Sequence, residues 1–544
     1  MSRCWPATAR TTGRWTRWSR PACGAWTSLS RNGRSCPRRY AATARSPTAC
    51  RTRWFAWTRS PRSSSRRRHG RRRRVPSSRP RPRPRRKTPA RTEPAHSGIG
   101  VNDELKPVSP GEATRAWARV AALSFGGPAG QIAVMHRVIV EEKGWVSDSR
   151  FMHALNYCMV LPGPEAQQLA TYLGWLLHGW RGGLVAGGLF ILPGFVSILL
   201  LSVLYAGFHE APAVQALFFG IKAAVLAVIA QAIFRLGRKA LRTGPQVILA
   251  AAAFIALFFF AVPFPWVILG AAIAGVWMAR SFTPDAGAAV QSGQGRPADR
   301  VSGWRTARVL SVGLALWMAP VLALWVALGP EDVFTRLGLF FSKMAVVSFG
   351  GAYSVLAYVA QEAVQTHGWL SPGEMLDGLG MAETTPGPLI QVVQFVGFMG
   401  GYRDAGDLSP MLGGVLASVL VTWVTFVPSF LWIFMGAPYI ETLRGNRTLQ
   451  AALAAVTAAV VGVMLNLAAW FSVHVLFAHV DTRSFGPLQL VVPEPASVQW
   501  LALVLAAGAF LAMARFRAGM LPVIGVSAVL GAGAYLALPG LVTG

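Results

Sequence analysis

A short phrase of glycine, proline and polar residues occurs twice in this chain, and each copy interrupts strongly apolar sequence. Ser-Phe-Gly-Gly at 124–127 returns at 348–351, Gly-Trp at 144–145 returns at 368–369, and Pro-Gly-Pro at 162–164 returns at 386–388. The offset is 224 positions in all three cases. Interruptions at matching positions of two halves are typical of membrane proteins that bind a solute where the halves meet. We therefore predict a membrane protein with an internal repeat.

Most of the net charge lies in the first 100 residues. They hold 28 of the 53 Lys and Arg residues and a single acid, Glu93, which accounts for +27 of the net charge of +31. Arginine runs alternate with proline there, without helical or strand periodicity. Such sequence cannot bury a core, so we predict that residues 1–100 are a disordered Arg/Pro-rich tail, typical of a spurious N-terminal extension.

Cysteine usage limits the chemistry of the remaining chain. Four of the five cysteines lie in the tail, which leaves Cys158 alone in the body. We expect neither a disulfide framework nor a metal site there. The sequence also lacks a nucleotide-binding lysine loop and a dinucleotide fingerprint, so we expect no cofactor and no enzyme activity.

Apolar stretches long enough to cross a bilayer begin near residue 113. A crossing helix needs about 20 residues. Thirteen segments are predicted to cross: 116–140, 152–177, 183–207, 213–234, 246–262, 264–279, 308–328, 337–360, 375–401, 411–435, 449–477, 498–514 and 519–538. The sequence thus predicts an all-α polytopic membrane protein.

Loop charge predicts the orientation, because cytoplasmic loops collect Lys and Arg. Basic residues at 235–242, 444–447 and 515–517 fall inside, while the acidic pair 331–332 falls outside. The amino end is then cytoplasmic and the carboxyl end external. Seven predicted crossings separate the two copies of the phrase, and an odd number inverts the second copy, with loop 141–151 outside and loop 365–374 inside. We predict inverted-topology repeats at 111–280 and 304–544, joined by a linker at 281–303, with one extra helix leading the second repeat.

The two Pro-Gly-Pro steps are predicted to break helices near the middle of the membrane. Pro162 and Pro386 each lie about ten residues into a predicted span. Irregular backbone is tolerated at that depth where it is buried or lines a cavity. A helix that restarts after a break begins with free N–H groups and a partial positive charge, so two such ends together would bind an anion. Polar side chains follow each break, although a Gln or Thr can also merely bond a freed carbonyl.

Lys222 lies near the centre of a predicted span, where an ammonium group must pair or face water, and it is a candidate anion ligand. The predicted substrate-binding residues are Ser124, Gly126, Gly127, Gln131, Asn156, Pro162, Gly163, Pro164, Glu165, Gln167, Gln168, Lys222, Ser348, Gly350, Gly351, Thr384, Thr385, Pro386, Gly387, Pro388 and Gln391. Glu165 and Glu383 are the predicted proton-coupling groups, because a carboxylate beside a dianion binds a proton more tightly.

Long strings of these residues resemble the chromate ion transporter (CHR) family in its two-domain form. They are Ser124-Phe-Gly-Gly-Pro-Ala-Gly130, residues 156–168 (NYCMVLPGPEAQQ), Ser348-Phe-Gly-Gly351 and Thr385-Pro-Gly-Pro388. The resemblance covers about residues 111–540. It implies chromate export across the bacterial inner membrane, a role in chromate resistance, and sulfate as a similar oxyanion. The second half has Leu389 and Val392 where the first has Glu165 and Gln168, so equal roles for these positions are not implied.

Alternative functions stay open at this point. A sulfate or other oxyanion permease belongs to the same class, an anion channel would pass larger fluxes without saturation, and a membrane-tethered binding module would use the basic tail. Alternating access driven by ion gradients is the leading prediction, with chromate and the lipid bilayer as partners and no nucleic acid. The oligomeric state is not determined by the sequence, and a homodimer stays open.

Overall fold

The computed structural model describes residues 107–278, 303–349, 352–437, 447–486 and 488–537. The predicted tail and the predicted linker lie outside these residues, except for Gly303, which begins a helix. The described residues all belong to one compact unit, His96–Gly544. Gly350 and Gly351, two predicted site residues, also lie outside the described ranges.

The described residues form sixteen α-helices and one two-stranded sheet. The helices of the first half are α1 (Pro110–Leu123), α2 (Gly127–His136), α3 (Asp148–Cys158), α4 (Glu165–Phe208), α5 (Pro212–Ala240), α6 (Gly244–Phe258) and α7 (Phe264–Trp277). The later helices are α8 (Gly303–Leu328), α9 (Val333–Val347), α10 (Ala352–Gln361), α11 (Pro372–Thr384), α12 (Val392–Arg403), α13 (Pro410–Gly436), α14 (Arg447–Leu476), α15 (Trp500–Arg515) and α16 (Met520–Ala537).

Shorter elements complete the chain. Two π-helical turns, Arg137–Glu142 and Glu362–Thr366, extend α2 and α10, and 3₁₀ turns lie at Leu389–Gln391 and Pro495–Ser497. The strands β1 (Val480–Phe485) and β2 (Leu488–Pro493) pair antiparallel. No strand is among the elements predicted from the sequence. The backbone N–H of Gln489 donates to the carbonyl of Phe259, 2.7 Å away, which ties the hairpin to the α6–α7 turn.

The repeated sequence produces repeated local structure. Ser147 and Ser371 cap α3 and α11, and each hydroxyl accepts a hydrogen bond from the backbone N–H three residues later. Ser124 and Ser348 end α1 and α9 with nearly equal torsion angles, φ −83° and ψ 76° against φ −80° and ψ 71°. The two π-helical turns also lie at matching positions. Both halves therefore use the same local conformations where their sequences agree.

The predicted span 116–140 is not one helix. It divides at Gly126 and Gly127 into α1 and α2, which are 14 and 10 residues long. At about 1.5 Å per residue, α1 covers about 21 Å and α2 about 15 Å before its π-helical extension, each shorter than a bilayer core of about 30 Å. The ends of the two helices lie side by side, since Lys143 Nζ is 2.8 Å from Glu112 Oε1. Residues 110–143 therefore form a helical hairpin, the first hairpin.

The predicted span 152–177 has the same form. Helix α3 ends at Cys158, the chain turns through Pro-Gly-Pro, and the first part of α4 leads back. His178 Nε2 is 2.8 Å from the carbonyl of Val108, while His136 Nε2 is 2.7 Å from Asp148 Oδ1, so both ends lie beside the open end of the first hairpin. At His178 and Gly179 the backbone leaves helical geometry and α4 changes direction. Residues 148–178 are the second hairpin, and 180–208 form a separate long helix.

The second half repeats this arrangement at 333–367 and 372–403, the third and fourth hairpins. Arg336 Nη2 lies 3.0 Å from His367 Nδ1, which joins the ends of the third hairpin. Burial and the nearby Arg336 guanidinium lower the pKa of His367, consistent with a neutral ring that accepts this hydrogen bond. Arg403 donates to the carbonyl of Trp369 at 2.6 Å and pairs with Glu374 at 2.5 Å, which joins the ends of the fourth.

The prediction of thirteen crossing helices is therefore not confirmed. Four predicted spans, 116–140, 152–177, 337–360 and 375–401, are hairpins whose two ends lie together. The other nine correspond to 180–208 of α4 and to α5, α6, α7, α8, α13, α14, α15 and α16. Among the described residues, five helices are long and apolar enough to cross a membrane, and α6, α7, α15 and α16 are shorter apolar helices. The chain is an all-α, multi-pass membrane protein in which half-length hairpins pack among longer helices.

Long helices of each half pack on helices of the other half. Helix α5 of the first half packs on α15 and α16, and α14 of the second half packs on α6 and α7. Helix α4 contacts α12 and α13 of the second half as well. Since each half packs its long helices on the other, the hairpin tips of both halves are enclosed within one helical assembly.

Candidate functional site

The candidate site consists of two breaks, residues 162–164 (the first break) and 386–388 (the second break). Gly163 and Gly387 have positive φ angles of 124° and 105°, a conformation that side chains rarely adopt. Glycine is therefore required by the turn in each half. The prediction of non-helical backbone at both Pro-Gly-Pro steps is confirmed.

Each break is hydrogen-bonded to the Ser-Phe-Gly-Gly phrase of the other half. Gly163 donates its backbone N–H to the carbonyl of Ser348, and Gly387 donates its N–H to the carbonyl of Ser124, both at 2.9 Å. These two bonds are the reciprocal hydrogen bonds of the site. They connect the tip of the second hairpin to the tip of the third hairpin, and the tip of the fourth hairpin to the tip of the first.

Side chains complete the hydrogen bonding at both breaks. Gln131 donates to the carbonyl of Gly387 at 2.6 Å, and Gln168 donates to the carbonyl of Pro162 at 2.7 Å. Thr384 donates to the carbonyls of Gly380 and Met381 at 3.0 Å. The two glutamines bond carbonyls of the breaks themselves and Thr384 bonds carbonyls in the last turn of α11, which was the structural alternative kept open in the sequence analysis.

The serine hydroxyls of the phrase are also engaged. Ser124 Oγ donates to the carbonyl of Val120 at 2.6 Å, and Ser348 Oγ donates to that of Ala345 at 3.0 Å. Thr385 Oγ1 bonds the carbonyl of Ala382 at 3.4 Å. In this conformation the hydroxyl protons predicted to face an anion are therefore directed at carbonyl groups at the ends of their own helices.

Helix α4 approaches the second break closely through a glycine. A Cβ atom added to Gly194 would lie 2.8 Å from the carbonyl oxygen of Pro386, and one added to Gly387 would lie 3.0 Å from Gly194 Cα. Both distances are shorter than ordinary van der Waals contact. Gly194 follows Pro193 inside α4 and carried no signal of its own, because its partner lies far away in the sequence.

A layer of buried amides and hydroxyls surrounds the breaks. Gln391 Nε2 donates to Gln394 Oε1 at 2.8 Å, and Gln394 Nε2 donates to the carbonyl of Phe195 at 3.0 Å. Gln167 Nε2 donates to Thr171 Oγ1 at 3.0 Å. Sequence analysis missed Gln394 and Thr171, as well as the buried hydroxyls Ser418, Thr425 and Ser429 on α13. Their helical spacing on otherwise apolar helices is the signal that identifies them.

Several polar atoms in this layer have no hydrogen-bond partner among the described residues. They are Gln167 Oε1, Gln168 Oε1, Gln391 Oε1 and Thr425 Oγ1. Leaving a buried polar atom without a hydrogen bond costs about 1–3 kcal/mol of stability. The cluster is therefore suited to bind a polar ligand or water. Three of these four atoms are amide oxygens, which only accept hydrogen bonds, so in this conformation they can pair with a donor such as water and not with an anion.

Other predicted site residues lie elsewhere or at the margin. Asn156 is exposed on α3, Glu165 is half-buried as the first residue of α4, and Glu383 is buried on α11 just before the second break. Gly126 and Gly127, both with positive φ, make the turn at the tip of the first hairpin. Lys222 does not join the breaks, because it pairs with Asp377 at 3.2 Å in a separate cavity. Ligand and proton-coupling roles at all these residues stay predictions.

The chain matches the chromate transporter family over residues 111–276 and 335–532. These two ranges contain both breaks and all but the first one or two residues of the four hairpins. The chain belongs to the chromate transporter family.

Relatives of this chromate transporter family chain share most of its membrane body. It is 32% identical to the chromate transport protein of Pseudomonas aeruginosa over 349 residues, covering 63% of this chain and 76% of the relative. It is 28% identical to the chromate transport protein of Cupriavidus metallidurans over 344 residues, covering 63% of this chain and 78% of the relative. An uncharacterized transporter of Methanocaldococcus jannaschii is 23% identical over 355 residues, covering 65% of this chain and 82% of the relative. No solved structure matches the chain.

The hydrogen bond of Gln131 gives a stability prediction. Replacing Gln131 by leucine leaves the carbonyl of Gly387 without a donor in a water-poor site, which costs about 1–3 kcal/mol. We expect the thermal unfolding midpoint of the purified Gln131→Leu protein in detergent to fall by several degrees, with reduced flux. Gln365→Leu is the control, because Gln365 is exposed in the second π-helical turn. Equal midpoints for the two variants would contradict the assigned role.

Proposed function

We propose that this chromate transporter family protein exports chromate from the bacterial cytoplasm by alternating access. Family membership supports chromate as the substrate, since the family match includes both breaks and relatives named chromate transport protein align with 63% of this chain. The two reciprocal hydrogen bonds support alternating access, because they join the halves at symmetric, breakable contacts. A carrier needs such contacts between bodies that move relative to each other.

Nine crossing helices and four re-entrant hairpins are the topology we propose. Basic residues of the first two hairpins, such as Arg119, Lys143 and Arg150, then lie on the same side as the basic clusters at 235–242 and 515–517. The acidic pair 331–332 and the β-hairpin lie on the opposite side, where the bond from Gln489 to Phe259 joins two external turns. The amino end is cytoplasmic in this arrangement and the protein lies in the inner membrane.

The number of crossing helices between the two pairs of hairpins also makes the two repeats inverted relative to each other. Between the first and third hairpins the chain crosses with residues 180–208 and with α5, α6, α7 and α8. Five crossings are an odd number, as the seven predicted ones were, so the second pair of hairpins enters from the opposite side. The reciprocal hydrogen bonds then join hairpin tips that reach the middle of the membrane from both faces. We propose that the substrate binds at these tips when one of the two bonds opens.

Export can run on the membrane potential. Moving one charge through 100 mV is worth about 2.3 kcal/mol, so a dianion leaving an inside-negative cell gains about 4.6 kcal/mol. The described conformation has both reciprocal hydrogen bonds formed, and it fits a closed state between loading and release. Carboxyl groups at the breaks, Glu165 and Glu383, are the sites we propose for any exchange of protons with chromate.

Chromate flux in membrane vesicles tests this function. We expect inside-out vesicles that contain the protein to take up labelled chromate in a saturable manner, and an inside-positive potential to increase the initial rate several-fold. Excess sulfate is the competitor, and a strong reduction of chromate uptake would identify a general oxyanion carrier. Vesicles without the protein are the control. Flux that rises linearly with chromate concentration would indicate a channel and contradict the carrier.

A further inference from the structure

A second polar cavity lies away from the breaks, at the end of the molecule that the proposed topology makes external. It has a volume of about 460 Å³. Its charged and polar lining residues are Tyr205 of α4, His209 directly after α4, Gln215 and Lys222 of α5, Ser371 directly before α11, Glu374 and Asp377 of α11, and Arg403 of α12. The two halves of the protein therefore meet at this cavity too.

Two cations in the cavity are each paired with a carboxylate of α11. Lys222 Nζ lies 3.2 Å from Asp377 Oδ2, and Arg403 Nη2 lies 2.5 Å from Glu374 Oε1. The side chains of Lys222 and Arg403 are 28% and 41% exposed, whereas those of Asp377 and Glu374 are 4% and 12% exposed. The cavity thus presents its cations to solvent and holds the paired anions behind them.

The pairing of Asp377 is incomplete. Tyr205 donates its hydroxyl hydrogen to the same Oδ2 atom at 2.9 Å, while Oδ1 of Asp377 has no hydrogen-bond partner among the described residues. Tyr205 is fixed by edge-to-face contacts with Phe218 and Phe395, each with ring centroids 5.3 Å apart. Burial and the missing donor at Oδ1 raise the free-energy cost of keeping Asp377 ionised, and only an ionised Asp377 forms an ion pair with Lys222. Another anion can therefore compete with it.

We propose that this cavity is an outer oxyanion site in which Lys222 is the ligand and Asp377 competes with the oxyanion for it. The inference rests on the proposed function and adds a second place where the substrate binds on its way out. A tetrahedral dianion accepts several hydrogen bonds and has twice the charge of one carboxylate, so it displaces Asp377 when its local concentration is high. Return of Asp377 to Lys222 then releases the oxyanion outward.

The position of Asp377 connects this site to the second break. Asp377 lies on α11, which ends at Thr384, immediately before Thr385-Pro386-Gly387-Pro388. Helices are stiff over two turns, so displacement of Asp377 from Lys222 shifts the end of α11 and the backbone of the second break with it. The competition at Lys222 therefore acts on the reciprocal bond between Gly387 and Ser124.

Equilibrium binding of labelled chromate to the purified full-length protein in detergent tests the site. We expect Asp377→Asn to bind chromate about tenfold more tightly than wild type, because the competing charge is gone, and Lys222→Met to bind about tenfold more weakly. The matched control is Asp407→Asn, which removes the same charge from an exposed position in the loop after α12. We expect its affinity to equal that of wild type.

The double variant Lys222→Met/Asp377→Asn separates this role from a structural ion pair. If the pair only stabilises the fold, the neutral double variant recovers wild-type affinity, and the proposal is wrong. We expect it to bind as weakly as Lys222→Met. If Asp377→Asn does not fold, the chromate affinity of Lys222→Met is the test. An affinity equal to that of the wild type would contradict the proposed site. If the variants change chromate affinity as expected but the wild-type protein moves no chromate in vesicles, the proposed transport is contradicted while the site is supported.

Discussion

A membrane-impermeant maleimide is expected to label Gln365→Cys in intact cells and Glu141→Cys only in inside-out vesicles. The two positions are 224 residues apart, and both lie exposed in the π-helical turns that close the third and first hairpins. With four hairpins that return to their side of entry, position 141 is cytoplasmic and position 365 external. With thirteen crossing helices, the labelling would be reversed. We expect each cysteine to be labelled almost completely from its own side of the membrane and almost not at all from the other side.

The labelling needs a background without reactive thiols. The five native cysteines, of which Cys158 is buried, are replaced by serine, and chromate uptake by that protein shows that it still folds. Ser484→Cys on the exposed strand β1 is the external control, since both topologies place it outside. Labelling of Glu141→Cys in intact cells, at the level of Ser484→Cys, would rule out the hairpin topology.

Flux is expected to fall at least tenfold in Gly194→Ala and in Gly387→Ala. The added Cβ atoms would lie 2.8 Å from the carbonyl oxygen of Pro386 and 3.0 Å from Gly194 Cα, so backbone has to move away from backbone at the second break. A tenfold loss corresponds to about 1.4 kcal/mol of destabilisation of the conformation that transport requires. Initial rates of chromate uptake at equal protein amounts measure the effect.

Matched glycine controls separate crowding from backbone effects. Gly188 lies on α4 six residues before Gly194 with open space around it, so Gly188→Ala is expected to transport as well as wild type. Gly329 has a φ of 90° and no neighbouring atoms, and Gly329→Ala therefore carries the cost of positive φ without a close contact. If Gly387→Ala and Gly329→Ala lose the same flux, close packing at the second break is not what transport depends on.

Local features of the candidate site were predictable because glycine and proline act on their own backbone. Gly163 and Gly387 have the irregular conformation that their Pro-Gly-Pro setting predicts, and Ser147 and Ser371 cap their helices as expected from a serine before a helical segment. The partners of these residues were not predictable. No sequence pattern relates Gly163 to Ser348 or Gly194 to Pro386, since each contact joins segments that are nearly 200 residues apart.

The role of Lys222 illustrates the same limit. An ammonium group in an apolar segment predicts a partner or an aqueous cavity, and both are present. The partner is Asp377, which was not among the predicted site residues, because a carboxylate two turns before a helix break carries no signal that distinguishes it from Glu374. Only the packing of α4, α5 and α11 brings Tyr205, Lys222 and Asp377 together.

The sequence by itself determined that the protein is helical, that it lies in a membrane and that it is built from two halves interrupted at the same positions. Hydropathy, glycine and proline specify these properties locally. The tertiary structure decided the direction of the chain at each interruption, because an apolar stretch of about 20 residues satisfies the bilayer equally well as one crossing helix or as two half-length helices that return. The ion pairs that join the ends of the first and fourth hairpins, Glu112 with Lys143 and Glu374 with Arg403, exist only after that choice is made.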